Sequence, residues 1–222
     1  PAYNFLQSKG IDVRWSSETD INFNHSKYMI IDDVLVVIWT GNFSQSTFVT
    51  NRDFFIFLTD LNIIQELNSI FERDFNEIKT SYSGSAIIVS PDNAEKQIEH
   101  HIRSAKNSIQ VFAPSLEDEW LIKLIKDKTS NGVKVIICTP EKNRVVTEKI
   151  LSQLPTDNKV LYWSKNPFTH AKTILVDNKN LLIWSLNFTS NSLNNNREIG
   201  IILPILQNLD LYQNIFQSDC KR

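Results

Sequence analysis

HSKYMIIDDVLVVIWTGNFSQSTFVTNRD, residues 25–53, and HAKTILVDNKNLLIWSLNFTSNSLNNNRE, residues 170–198, are one pattern written twice, without a gap, at an offset of 145 positions. Identical pairs include His25/His170, Lys27/Lys172, Asp32/Asp177, Trp39/Trp184, Asn42/Asn187, Phe43/Phe188, Asn51/Asn196 and Arg52/Arg197. Most of these residues are polar. A shared apolar core does not explain their retention, so the repeat points to a chemical task that uses both copies.

Around the second copy, short apolar runs alternate with helical stretches. Strands are expected at 86–90, 108–112, 134–138, 160–163, 171–176, 181–184 and 198–203. Helices are expected over 92–104, 117–131 (stopped by Gly132) and 141–154, with a closing helix from about 205. The first copy shows only the later part of this unit, with strands at 13–15, 26–31, 35–39 and 53–58 and a helix over 62–78. The pattern predicts an α/β protein: two repeated α/β/α units whose mixed, mostly parallel sheets pack together, with the active site at their interface. Residues 1–82 then form the later part of the first repeat and residues 83–222 the complete second one. Because 84 residues separate Ala86 from His170 while 24 precede His25, the first unit is expected to be N-terminally incomplete by about 60 residues. Its strands would keep an open edge. A partner chain or a further N-terminal segment is expected to complete it, and the 222-residue chain alone is expected to fold poorly or recruit a second chain.

Composition sets the outer limits. With 41% hydrophobic and 10% aromatic residues the chain can bury one sizeable core or two small ones, and no window holds the ~18 apolar residues of a membrane span. A net charge of −2 argues against a protein built to coat duplex nucleic acid. Cys138 and Cys220 fit neither a zinc spacing nor a disulfide framework, and Cys138, in an apolar run, reads as a buried structural thiol. His100 and His101 cannot share one helix face and read as solvated helix surface, as do residues 142–149. The asparagine run 194–196 reads as a polar loop, either over a cleft mouth or simply connecting two elements.

The chemistry sits in H-x-K-x4-D, present as His25, Lys27, Asp32 and as His170, Lys172, Asp177. Residues i and i+2 of a strand share one face, so each histidine and lysine point into the same cleft, with Tyr28, Ile30, Thr173 and Leu175 on the other side. A nucleophile beside a cation suits a phosphoryl group. Thr40 with Asn42, and Ser185 with Asn187, end the next strands and can donate to phosphate oxygens. Asp53 and Glu198 close the two patterns, and a carboxylate that accepts one ring proton of a histidine fixes its tautomer and raises its nucleophilicity.

With these motifs in both copies the chain resembles the phospholipase D superfamily over nearly its whole length. The resemblance implies covalent catalysis in two displacements through a phosphohistidine, without a metal or other cofactor. It implies that His25 attacks phosphorus and His170 is the general acid and base. Lys27, Lys172, Asn42 and Asn187 would neutralise the nonbridging oxygens. Asp32 and Asp177 belong to the motif but lie far along the strand from the histidine, so a turn or hydrogen-bond anchor is expected of them. Trp39 and Trp184 depart from the family pattern by standing at its glycine positions, where core packing is expected ahead of a place in the cleft. Thr40 stands where serine is usual. The implied substrate is a phosphodiester. A phospholipid, met through transient contact with a membrane surface and cleaved or passed to an acceptor alcohol, ranks ahead of DNA or RNA cleaved by a nuclease. A non-catalytic binding relative would be expected to have lost a histidine or lysine, and neither copy has.

Overall fold

The structure, a computed structural model, describes residues 2–16, 21–152, 154–155 and 157–220. The first repeat comprises α1 (Ala2–Ser8), β1 (Phe23–Asn24), β2 (Tyr28–Ile31), β3 (Leu35–Trp39), α2 (Gln45–Val49), β4 (Asn51–Arg52), β5 (Phe55–Leu58) and α3 (Leu61–Phe75). The second opens with β6 (Ile87–Ser90), α4 (Ala94–Arg103), β7 (Ser108–Phe112), α5 (Glu119–Ser130), β8 (Lys134–Pro140), α6 (Arg144–Leu151) and β9 (Lys159–Ser164). It continues with β10 (Phe168–Thr169), β11 (Thr173–Val176), β12 (Asn180–Trp184), α7 (Ser190–Asn194), β13 (Asn196–Pro204) and α8 (Leu209–Asp219).

The mixed α/β architecture expected from the alternation is the one adopted. The main sheet has the order β1-β13-β12-β11-β7-β8-β9, with β6 also paired to β13. Strands β7, β8 and β9 run parallel, as do β1 and β13, and the other pairs are antiparallel. A separate antiparallel sheet, β2-β3-β5, belongs to the first repeat. Both histidine strands turn back through paired left-handed residues, Asp32-Asp33 and Asp177-Asn178, with φ between 51° and 56°. Two successive positive φ values match a hairpin turn to the strand twist, and Asp and Asn tolerate that conformation better than other non-glycine residues. Asp60 and Asp118 cap α3 and α5 through their carboxylates, holding the first turns by side-chain acceptance of backbone N–H groups.

Helices α4 and α5 bury Ile98, Ile102, Leu121 and Ile125 on one face of the main sheet, while α8 buries Tyr212 and Phe216 on the other. Helix α3 packs Ile64, Leu67 and Ile70 against β3 of its own repeat and against Val89 and Ile199 of the second. That third core welds the repeats together, since apolar burial is worth about 25 cal/mol per Å² wherever the surfaces originate.

Several expectations are corrected. Residues 13–15 form no strand; Trp15 lies exposed, stacked on Tyr3 at 5.1 Å. The helix expected over 141–154 begins as a 3-10 turn, Glu141–Asn143, and its α part ends at Leu151; position 153 lies outside the described residues. The short pairs β1–β13 and β4–β10 are too brief for any periodicity to announce. His101 is buried rather than solvated: its Nε2 meets the Ile174 carbonyl at 3.0 Å, and burial lowers its pKa. Cys138 and Cys220 are joined in a disulfide with Cα atoms 5.9 Å apart, across 82 residues of sequence that gave spacing rules no purchase.

Candidate active site

Pairing across the repeats builds the site. β1 lies parallel to β13 and β10 parallel to β4, so each histidine's entry strand is held by the other repeat. The His25 backbone N–H donates to the Arg197 carbonyl at 2.9 Å, and the His170 N–H donates to the Arg52 carbonyl at 3.1 Å. The side chains cross in the same sense. His25 Nδ1 lies 2.9 Å from both Glu198 oxygens, and His170 Nδ1 lies 3.0 Å from Asp53 Oδ1. A carboxylate can only accept, so each Nδ1 donates a proton to its carboxylate and Nε2 is the ring nitrogen not taken up by that support. The imidazoles are 17% and 19% exposed against 2% and 1% for their carboxylates, so the rings reach the surface of a seam whose support is sealed.

The carboxylates are themselves held. Thr40 Oγ1 and Ser185 Oγ each donate to them at 2.6 Å, and each hydroxyl then accepts a backbone N–H, from Phe54 and Ile199 respectively. This corrects the expectation that Thr40 and Ser185 donate to phosphate. Both are fully buried, and their single protons are spent on orienting Asp53 and Glu198. Gly41 was missed by sequence reasoning. A Cβ there would stand 2.6 Å from Asp53 Oδ2 and 2.4 Å from Thr47 Cγ2, so only glycine lets this turn close over the carboxylate.

Lys27 Nζ donates to the His25 carbonyl at 2.6 Å, and Lys172 Nζ donates to the carbonyls of His170 and Thr40 at 2.7 and 3.1 Å. Lys172 Nζ also lies 3.3 Å from His170 Nε2. Burial pulls Lys27 down to about 8 and Lys172 to about 7, against the opposing pull of Asp53 and Glu198 on both. The carboxamides of Asn42 and Asn187 make no hydrogen bond within the described residues, which leaves four donors for a ligand. Thus His25, Lys27, Asp53, His170, Lys172 and Glu198 share one seam, with Asn42 and Asn187 following the strands that flank it. Among the described residues no group of three His, Cys, Asp or Glu is placed to hold a metal ion.

Asp32 and Asp177 stand apart from the seam, and their surroundings differ. Asp177 accepts the backbone N–H groups of Lys106, Asn107 and Ser108 at 2.7–2.9 Å. Burial would raise its pKa, but these three donors outweigh that and lower it. Asp32 has no such partners among the described residues. The same asymmetry recurs along β2, whose outer edge is unpaired where β11 meets β7. Met29 and Ile31 are exposed while their counterparts Ile174 and Val176 are buried. Phe43 is 77% exposed, whereas Phe188 is fully buried and its carbonyl accepts the N–H groups of Glu117 and Asp118. Trp39 and Trp184 are both core residues, stacked on Phe55 and set edge-on to Phe188. The asparagine run splits between α7 and β13.

Sequence reasoning also missed the ion pairs beneath the seam. Arg52 and Arg197 were visible as repeat identities, but their partners, Asp219 and Asp74, lie outside the 29-residue pattern. These two are themselves 145 positions apart, a signal that extending the repeat comparison would have found.

Comparison with known proteins identifies a family. Residues 2–75 and 98–220 match a family model described as the cardiolipin synthase, phospholipase D-like domain. A phospholipase D of Rickettsia bellii is 26% identical over 129 residues, 58% of this chain and 64% of that protein. The phosphatidylserine synthase of Haemophilus influenzae superposes with a TM-score of 0.73 at 14% identity over 89% of this chain and 62% of its own. Nuc of Salmonella typhimurium, a phospholipase D family member, gives 0.52 at 25% identity over 60% of this chain and 91% of its own. The chain thus spans under two thirds of the first two, and with the family model matching across both repeats, it belongs to the phospholipase D-like family of the cardiolipin synthase type.

Proposed function

We propose that this chain carries the catalytic machinery of a metal-independent phosphodiesterase that hydrolyses or transfers a phosphatidyl group through a phosphohistidine. The observation that carries the reading is the reciprocal pairing of each histidine's Nδ1 with a sealed carboxylate of the other repeat. His25 Nε2 attacks phosphorus as the bond to the leaving alcohol breaks, and His170, entering this step as an imidazolium with a proton on each ring nitrogen, gives its Nε2 proton to that alcohol. His170 then removes a proton from water or an acceptor alcohol, whose oxygen displaces His25 and regenerates the free imidazole. Lys27, Lys172, Asn42 and Asn187 stabilise charge on the nonbridging oxygens, and Asp32 and Asp177 anchor the hairpins that carry the histidines.

A phospholipid is favoured by the net charge of −2 and by the names of the family and the rickettsial relative. Exposed Phe43, Phe48 and Phe55 near Asn42 favour the second reading, single-stranded nucleic acid, because bases stack on such rings. Offering the protein a phosphatidyl substrate with an acceptor alcohol, and separately a single-stranded oligonucleotide, decides between them by turnover. His25→Ala and His170→Ala should each abolish the reaction by several orders of magnitude, as for groups acting as a unit. Full activity in either variant refutes the mechanism.

A further inference from the structure

We propose that Asp219, fastened in place by the Cys138–Cys220 disulfide, is a positioning residue for His170, so that oxidation of this cysteine pair sets the activity of one half of the site and not the other. This rests on the reading of His170 as a working histidine. Asp219 closes α8 and is almost fully buried. Its carboxylate takes Arg52 through two contacts, one from Nε and one from Nη2 at 3.2 Å. Arg52 is the β4 residue aligned with Thr169, its carbonyl receives the His170 N–H, and the next residue, Asp53, holds His170 Nδ1. The forked ion pair thereby fixes the register of the backbone that presents both supports of His170.

Cys220 directly follows Asp219, and its bond to Cys138 ties the end of α8 to β8, in the parallel part of the main sheet. The Cys138 sulfur also lies 4.0 Å from Thr169 Oγ1, next to His170 in the chain. One cross-link therefore reaches His170 by two routes. The mirror half is built otherwise. Arg197 meets Asp74 at 2.9 Å and Asp92 at 3.0 Å, Arg73 joins the cluster, and Asp74 is followed by Phe75 rather than a cysteine. His25 thus has a network of ions where His170 has one ion pair and a covalent tether.

Wild-type protein is compared with Cys220→Ser, Asp219→Asn and Asp219→Glu, together with wild type reduced by dithiothreitol, which leaves two thiols and takes the reductant to its cyclic disulfide. Turnover of a phosphodiester is read alongside the Nδ1 proton resonances of His25 and His170, which need no substrate. The expected result is a roughly 10-fold loss of kcat with KM little changed, because a displacement of under 1 Å suffices for losses of that order. The His170 Nδ1 proton should broaden and the His25 proton persist, with Asp219→Glu partly restoring both readouts. Cys220→Ser and Asp219→Asn together should lose little more than either alone. An intact His170 signal in folded Cys220→Ser or in reduced wild type overturns the proposal, as does equal broadening of both signals. If no phosphodiester is turned over, the phosphodiesterase reading fails, and the two proton signals still decide this one.

Discussion

Lys27 and Lys172 are the groups whose protonation the fold moves into the working pH range, at about 8 and about 7, and a titration from pH 7 to 9 exploits that. At pH 7 roughly nine-tenths of Lys27 and half of Lys172 are charged, and at pH 9 roughly 9% and 1%. If the transferring phosphoryl group needs both ammonium groups, kcat/KM, which reports the free enzyme, falls about 500-fold over those two units. If it needs Lys27 alone, the fall is about 10-fold. A bound phosphodiester adds negative charge beside both lysines and raises their pKa values, so kcat itself should decline later than kcat/KM. Lys172→Arg keeps its charge at every accessible pH and should leave only the shallower Lys27 limb, at a reduced plateau because a guanidinium does not fit an ammonium's place.

The same titration should move stability the other way. Both lysines have folded pKa values below their unfolded value of about 10.4, so between these limits the unfolded chain binds more protons than the folded one. Stability then rises with pH, from about 7 upward for Lys172 and about 8 for Lys27, and is lowest below both, where each charge is buried at full cost. Initial rates at fixed ionic strength and thermal midpoints from the same samples give the two trends. A kcat/KM that is flat or rising from pH 7 to 9, or a Lys172→Arg limb as steep as wild type's, would refute the assignment of the lysines to phosphate charge.

Asp53→Asn and Glu198→Gln should each lower kcat roughly 10²- to 10⁴-fold by spoiling the histidine tautomer, and Gly41→Ala should resemble Asp53→Asn because its methyl displaces that carboxylate; steady-state rates on one substrate compare all three. Phe188→Ala should cost about 3–5 kcal/mol, roughly 6–20 °C in thermal midpoint for a chain of this size, while Phe43→Ala should cost almost nothing unless further polypeptide covers it. Equal losses at the two positions would contradict the exposure difference. Turnover should survive dialysis against EDTA, because lysines and carboxamides stand where a cation would neutralise phosphate. Activity lost there and regained with a divalent metal would count against the mechanism.

The legible parts of this molecule are those whose physics repeats at short range. The period-2 and period-3.6 patterns mark most strands and helices to within a few residues, β7 to its ends, and the 145-residue offset alone singles out His25, Lys27, His170 and Lys172. What stayed hidden depends on long-range placement. Whether Thr40 gives its proton to phosphate or to Asp53 follows from how deeply the loop between β3 and α2 sinks, which no residue in that loop declares. His101 looks solvated beside glutamates and lysines, yet it lies on the buried face of α4 with Ala94, Ile98 and Ile102, its ring on the Ile174 carbonyl. Cys138 and Cys220 meet only because α8 folds back over β8, and two residues 82 positions apart carry no local trace of that.

The reciprocity of the seam has a further consequence for how the site can fail. Each histidine takes its backbone acceptor and its carboxylate from the opposite repeat, so neither repeat holds a complete half-site. Separating the repeats by a small shear would leave buried Asp53 and Glu198 with only the Thr40 and Ser185 hydroxyls as donors, at a cost of about 1–3 kcal/mol each for the lost partner. The carboxylates that hold the imidazoles are therefore also penalties against every misdocked arrangement. The apolar weld of α3 against β6 and β13 and the Arg52–Asp219 and Arg197–Asp74 pairs supply the attraction that holds the register. On the proposed mechanism, catalytic geometry and docking specificity rest on the same residues, so damage to the seam should reduce turnover before it unfolds either core.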